Sequence, residues 1–247
     1  MRDYAPTIFL GSTPREARSY LVRLMSRLRE TTAFNRVVVP CAGQFTGPLA
    51  ALQAGFSPSQ IETSDVSVFS AMIGTLASGG DPRDLGITVD LSDFDDLGKL
   101  VAKTSSGIEY AALVMYALKE GTSPTKHAKD MMVVNDLHQR RVAHVAFLAK
   151  HLKTLVERLS GIQYASRDLF DVVGEAKDDP RAILYVDPPG YKGGYEKMFA
   201  SERVTWGAAP KYGLFAPKTG FDEVMESVKD SPVPPVSGKS SSFSLND

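Results

Sequence analysis

Val37-Val38-Val39-Pro40-Cys41-Ala42-Gly43-Gln44-Phe45-Thr46-Gly47 is the stretch whose reading sets the architecture. Three β-branched residues closed by a proline predict a short buried strand. A glycine-containing turn follows, and Pro48 to Ala54 then read as a helix stopped by Gly55. Strand, glycine turn and helix make the opening unit of a parallel α/β sheet. Ile61-Glu62-Thr63-Ser64-Asp65 predicts the next strand, and residues 67–77 the next helix, ended at Gly79-Gly80. Upstream, residues 14–30 predict a helix. Thr13 can cap it, Pro14 suits its first position, and Glu16 completes a capping box. Leu21, Leu24, Met25 and Leu28 then recur at helical spacing. Downstream, Ile183-Leu184-Tyr185-Val186 predicts another buried strand, cut off by Asp187-Pro188-Pro189-Gly190.

Composition bounds what such a chain does. It has 247 residues, 43% hydrophobic and 23% charged, which are ordinary globular values. Lys+Arg is 28 and Asp+Glu is 29, a net charge of -1. Bulk charge therefore does not hold it on nucleic acid; only a local basic patch could. A single cysteine, Cys41, excludes an internal disulfide and a cysteine-based zinc site. No apolar run approaches the length of a transmembrane helix, and the start, with Asp3, does not read as a signal peptide. The expectation is a soluble cytoplasmic protein with no membrane partner.

Between these units the chain changes character. Residues 81–96 carry Asp81, Asp84, Asp90, Asp93, Asp95 and Asp96 against Arg83. A solvated acidic loop leading into a helix is the simpler reading, and the spacing fits no calcium loop. Residues 97–160 predict a mostly helical insert. Val145, Leu148, Leu152, Leu155 and Leu159 alternate by three and four, a core-facing or coiled-coil-like seam. The histidines, His127, His138, His144 and His151, cluster here. His144 and His151 share a face two turns apart, too far for one ion, so solvent-facing helix histidines are expected. Lys126, Lys129, Arg140, Arg141, Lys150 and Lys153 make either a basic face for nucleic acid or a soluble helix surface. Residues 161–173 read as a mixed, strand-like stretch containing Asp168. The domain reading is a core from 1–96 and 161–230, a helical insert at 97–160, and a Pro/Ser-rich disordered tail at 231–247.

Three places carry chemistry. Parallel sheets bind ligands beyond the carboxyl ends of their strands, where Gly43 and Gly47 let backbone approach a ligand closely. Asp65, at the second strand end, can accept hydrogen bonds from ribose hydroxyls or can cap the helix that follows. Asp187-Pro188-Pro189 is the most informative. Two prolines end the ladder and hold the backbone rigid, so the Asp187 side chain and the Pro188 carbonyl form adjacent acceptors. Paired acceptors match an exocyclic amino group, which offers two donors. A structural turn is the alternative.

These residues resemble a known family. Val38 to Leu52 is similar to the first motif of Dam-type adenine-N6 DNA methyltransferases, in the class I group that uses S-adenosylmethionine. The resemblance implies that Pro40, Cys41, Ala42, Gly43 and Gly47 cradle the cofactor. Ile61 to Phe69 resembles the strand-end acid motif, which implies Asp65 on the cofactor ribose. Ile183 to Tyr191 resembles the catalytic Asp-Pro-Pro-Tyr motif, with Asp187, Pro188 and Pro189 in matching positions. Gly11 sits where the family has a glycine loop near the methionine carboxylate, and Asp168 where it has an acid near the adenine. The implied fold is α/β, a Rossmann-like methyltransferase sheet with helices on both faces and the helical insert. The sequence departs from the pattern at Gly190, where the family has an aromatic that stacks on the flipped base. Tyr191 or Tyr195 supplies that ring through a shifted loop, which Gly193-Gly194 frees. A second departure is the short stretch after Asp187: either residues 203–229 close the sheet or the fold is reduced.

The function implied is methyl transfer to the N6 amino group of a flipped adenine in DNA, without a metal. Phage protection, restriction–modification and regulation are all compatible contexts. An RNA adenine methyltransferase and an inert methyltransferase-like binding module are the competing readings.

Overall fold

Val37 and Val39 point to one face of the sheet and Val38 to the other, and two separate hydrophobic clusters grow from that alternation. The computed structural model describes residues 15–31, 34–92, 97, 104–121, 141–187, 203–211, 220–229 and 236–237. Strand β1, Arg36–Val39, lies between β2, Ile61–Ser64, and β5, Ala182–Val186, parallel to both. Beyond β2 lies β4, Gln163–Ala165, and beyond β5 lies β7, Val236–Ser237. The order β4-β2-β1-β5-β7 is all parallel. Chain progression reverses between β1 and β5, the point at which such sheets open a crevice.

One face is covered by α1 (Arg15–Thr31), α2 (Thr46–Gln53), α3 (Val68–Ala77), α4 (Gly107–Gly121) and α5 (Arg141–Leu159). The other face, carrying Val38, Leu184 and Val186, is covered by α6 (Leu169–Ala176), α7 (Gly220–Ser227) and the adjoining Val228. This is the expected α/β sheet with helices on both faces. Parallel neighbours need crossovers, and α2, α3 and α6 supply them. Across the sheet edge, Arg36 pairs with Glu62 at 2.5 Å and with Asp179 at 3.2 Å.

The seam expected in α5 is buried in full: Val145, Leu148, Leu152, Leu155 and Leu159. These side chains share one cluster with Leu113, Met115 and Tyr116 of α4, with α3, and with the sheet. The described part of the helical segment is thus continuous with the core. His144 and His151 flank Phe147, with ring centroids 6.2 and 3.9 Å from it. His151 Nδ1 also donates to the Phe147 carbonyl at 2.8 Å, so this histidine is spent on its own helix rather than turned freely to solvent. Among the described residues, no group of His, Cys, Asp or Glu could hold a metal, and no helix is long and apolar enough to cross a membrane.

Four expectations differ from the structure. Residues 161–173 divide into β4 and α6, because Asp168 caps the helix by accepting from Phe170 N at 2.8 Å. The acidic stretch holds a 3₁₀ turn, Pro82–Leu85, and a strand β3, Ile87–Val89. Asp81 accepts from Arg83 N at 2.9 Å, a local backbone task that needs no ion. The described part of residues 203–229 adds no strand to the main sheet: β6, Val204–Trp206, pairs antiparallel with β3 in a separate ribbon. Closure comes instead from the stretch expected to be disordered. Val236 and Ser237 pair with Tyr185 and Val186. A two-residue strand has no sequence period, so composition alone could not find it. Thr13 and Pro14, His127 and His138, and Asp93, Asp95 and Asp96 lie outside the described residues.

Because α5 belongs to the shared core, Leu152→Ala is expected to cost about 2–5 kcal/mol. Urea unfolding should remain a single transition with a lowered midpoint. A separate early transition would mean that α5 folds as an independent unit.

Candidate functional site at the carboxyl edge of the sheet

The strands β1, β2, β4 and β5 release their chains on the same edge. Each places a candidate residue there: Pro40 to Gly43 after β1, Asp65 after β2, Asp168 after β4, and Asp187 after β5. Asp65 is 2% exposed, and both of its oxygens accept backbone donors. Oδ2 accepts from Gly43 N at 2.9 Å, and Oδ1 from Ser67 N at 2.8 Å. The carboxylate therefore ties the β1 turn to the start of α3. Ser67 is the cap of α3, its hydroxyl accepting from Ser70 N at 3.1 Å. Ser70 in turn donates to the Gly43 carbonyl at 3.0 Å, and Tyr164 of β4 donates from its hydroxyl to the Asp65 carbonyl at 3.1 Å. Ser67, Ser70 and Tyr164 were not singled out from the sequence. The Ser-x-x-Ser spacing at a helix start was the signal for the first two.

The turn itself needs unusual backbone. Gly43 has φ 48°, which glycine adopts at little cost. Phe45 has φ 61°, an uncommon conformation for an aromatic residue. Its ring is fully buried and lies 6.2 Å from that of Tyr164, packing that holds the residue there. Gly47 meets a packing need. A Cβ there would sit 2.6 Å from Tyr185 Cδ1 and 3.2 Å from Val39 Cγ1. Only glycine lets α2 lie this close to β5.

The electrostatics of the edge converge on Cys41. Burial pushes its thiol well above the ordinary value, and Asp65, Asp187 and Asp168 push it further in that order. Three carboxylates thus act on one turn. Burial also raises the Asp187 carboxyl to about 6, while the Tyr185 hydroxyl, donating to Oδ2 at 3.1 Å, pulls it back. At neutral pH Asp187 is therefore mostly ionised and able to accept a hydrogen bond. The structure thus brings together Pro40, Cys41, Ala42, Gly43, Asp65, Asp168 and Asp187. Gly11, Pro188, Pro189, Gly190, Tyr191 and Tyr195 lie outside the described residues.

The family model of phage DNA adenine methylase-like domain 1 matches residues 9–236. The chain belongs to this family. No curated protein and no solved structure matches it. As a divergent Dam-like family member, it carries the mostly parallel sheet flanked by helices, with a crevice at the switch point and acids at its strand ends. In this methylase the β5 strand end, with Asp187, adjoins the turn after β1 across the switch point.

The raised Asp187 carboxyl has a consequence for stability. A free aspartate titrates near 4, and the folded group at about 6. Between those values the folded chain binds more protons, so stability falls as pH rises through the window. Above about pH 6 the full penalty is present, on the order of 1–2 kcal/mol after allowing for partial solvent contact. Asp187→Asn should raise the melting temperature at pH 8, and the gain should vanish near pH 4. Calorimetry at both values checks the sign.

Proposed function

We propose that this chain transfers a methyl group from S-adenosylmethionine to the N6 amino group of adenine in DNA, acting on a base turned out of the duplex. The observation that carries the reading is the convergence of Asp65, Asp168 and Asp187 on the Cys41 turn at the sheet's switch point. Family membership supports adenine methylation of DNA in general.

The site suits the cofactor. S-adenosylmethionine supplies a methyl group on a sulfonium, and a sulfonium is a cation. Three carboxylates acting on one turn favour a cation there. Pro40 to Gly43 are the residues that would hold it, with Asp168 at the adenine side and Gly11 near the methionine end. Asp65 acts on the cofactor chiefly by fixing Gly43. Each of its oxygens accepts one N–H, and the family resemblance implies this carboxylate on the cofactor ribose. Gly47 sets the depth of the crevice through its contact with Tyr185.

The chemistry would be an in-line displacement at the methyl carbon by a weak nucleophile, since the adenine amino lone pair is spread into the ring. The nitrogen–carbon bond forms as the carbon–sulfur bond breaks, sulfur leaves as a neutral thioether, and the nitrogen's extra proton is released to solvent. Asp187 accepts one amino hydrogen and the Pro188 carbonyl the other. This favours a pyramidal nitrogen with its lone pair aimed at the methyl carbon. Alignment and electrostatic complementarity supply the rate gain, the first worth up to ~7–11 kcal/mol in good cases. A base in the stack cannot reach this geometry, so it must be flipped. Pro189 stiffens the loop, and Tyr191 carries the base platform, with Tyr195 as the other candidate ring. The helical segment 97–160 contacts DNA through the basic surface that includes Arg141, Lys150 and Lys153.

Labelled methyl from S-adenosylmethionine should enter adenine of DNA, with RNA and no nucleic acid as the comparison arms. Asp187→Ala should abolish transfer and spare cofactor affinity, because its contact is made during reaction. Cofactor and DNA binding with no transfer by the wild-type chain would favour an inert binding module.

Asp65→Ala should weaken cofactor binding roughly tenfold to a hundredfold, read by calorimetry. Charge reversal at Arg140 and Arg141 should weaken DNA binding and flatten its salt dependence while leaving cofactor affinity unchanged. An unaltered salt slope would make that face a solubility surface.

A further inference from the structure

The two oxygens of Asp187 are not equivalent. Tyr185 precedes it by two residues in β5, so both side chains leave the same face of the sheet. The Tyr185 hydroxyl donates to Oδ2 at 3.1 Å, and among the described residues Oδ1 has no partner. The donor is itself held. Tyr185 is 3% exposed, and its ring lies on α2 at Gly47, where a Cβ would approach Cδ1 to 2.6 Å and Cε1 to 2.8 Å. The ring cannot swing toward α2 without displacing the helix, and α2 begins where the glycine turn ends. The hydroxyl is therefore placed by the same turn that Asp65 fixes.

We propose that Tyr185 is a positioning residue that clamps Oδ2 of Asp187 and so reserves Oδ1 as the acceptor for the reacting amino hydrogen. This rests on the methyltransferase reading above. A carboxylate on a free torsion presents either oxygen in many orientations; one held oxygen leaves one orientation for the other. No proton passes to the tyrosine. Burial and the neighbouring Asp187 push its hydroxyl far above neutral pH, so it remains a donor throughout the working range. Among the described residues, the other titratable group acting with Asp187 at this edge is Cys41 on the β1 turn, with Asp65 and Asp168 beyond it. Burial raises the Cys41 thiol, and among the described residues the side chain that donates to Asp187 is Tyr185.

Tyr185→Phe keeps the ring on Gly47 and removes only the donor. Single-turnover methylation at pH 8 should fall roughly tenfold, with cofactor affinity unchanged. The acid limb of the rate profile should move up by about one pH unit, because the lost bond had favoured the ionised carboxylate. A merely packing role for Tyr185 predicts an unmoved acid limb, and that result overturns the proposal. Carbon-13 titration of the Asp187 carboxyl gives a readout free of activity: it should shift upward in Tyr185→Phe, and an identical titration in both proteins also overturns the clamp. A wild-type chain that transfers no methyl refutes the methyltransferase reading, while the same titration still decides whether Tyr185 holds Asp187. Gly47→Ala approaches from the opposite side. Its Cβ should push the ring and move the acid limb in the same direction with the hydroxyl still present; an unchanged limb would mean the ring is not the lever.

Discussion

One buried carboxylate joins the parts of this site. Asp65 accepts from Gly43 N and Ser67 N, and so holds the turn after β1 against the start of α3. Charge-assisted hydrogen bonds of this kind are among the stronger ones available to a protein; the one from Ser67 N is buried and the one from Gly43 N partly so. The left-handed Gly43 and the strained Phe45 persist because that turn is pinned on several sides. From it α2 starts, and from α2 comes the surface on which Tyr185 lies. The chain of contacts runs from the second strand end, through the first, to the fourth candidate residue, Asp187.

The parallel sheet makes this economical. Its strands all open on one edge, so acids far apart in sequence meet without any special loop. The separation of the two faces adds a second effect. Tyr185 and Asp187 lie on the face that carries α2, whereas Leu184 and Val186 face α6 and α7. The catalytic candidate is thereby placed on the side of the sheet that also shapes the glycine turn. Burial of Asp187 on that side raises its carboxyl to about 6, still below neutrality, so the ionised group accepts a hydrogen bond at a cost to the fold. Such a cost at a strand end is the kind of local compromise expected at a site of chemistry.

The helical segment between Asp65 and Asp187 proves less separable than an insert on a sequence map. Its buried stripe, from Val145 to Leu159, merges with α3 and the sheet in one cluster. Its outward side, with Phe147 51% exposed and Lys150 and Lys153 in solvent, is left for other contacts. A basic surface on a core helix couples any contact made there to the stability of the whole domain.

Local chemistry in the sequence determined β1, β2 and β5, the helices α1, α2, α3 and α5, and the acids at the strand ends, but not β4, α6 or α7. Val37–Val39 and Ile183–Val186 are apolar runs closed by proline or Asp-Pro, and such runs have few alternatives to a buried parallel strand. The α5 seam was legible for the same reason, since a long amphipathic period has one solution. Tertiary structure alone decided the rest. The ribbon of β3 and β6 and the pairing of Val236–Ser237 with β5 depend on partners distant in sequence and carry no period of their own. The roles of single residues followed the same division. Sequence could say that Asp65 was an acid at a strand end, with Ser67 N in local reach, but its bond from Gly43 N exists only once β1 and β2 lie side by side. It could say that Gly47 was small, but only the approach of Tyr185 explains why.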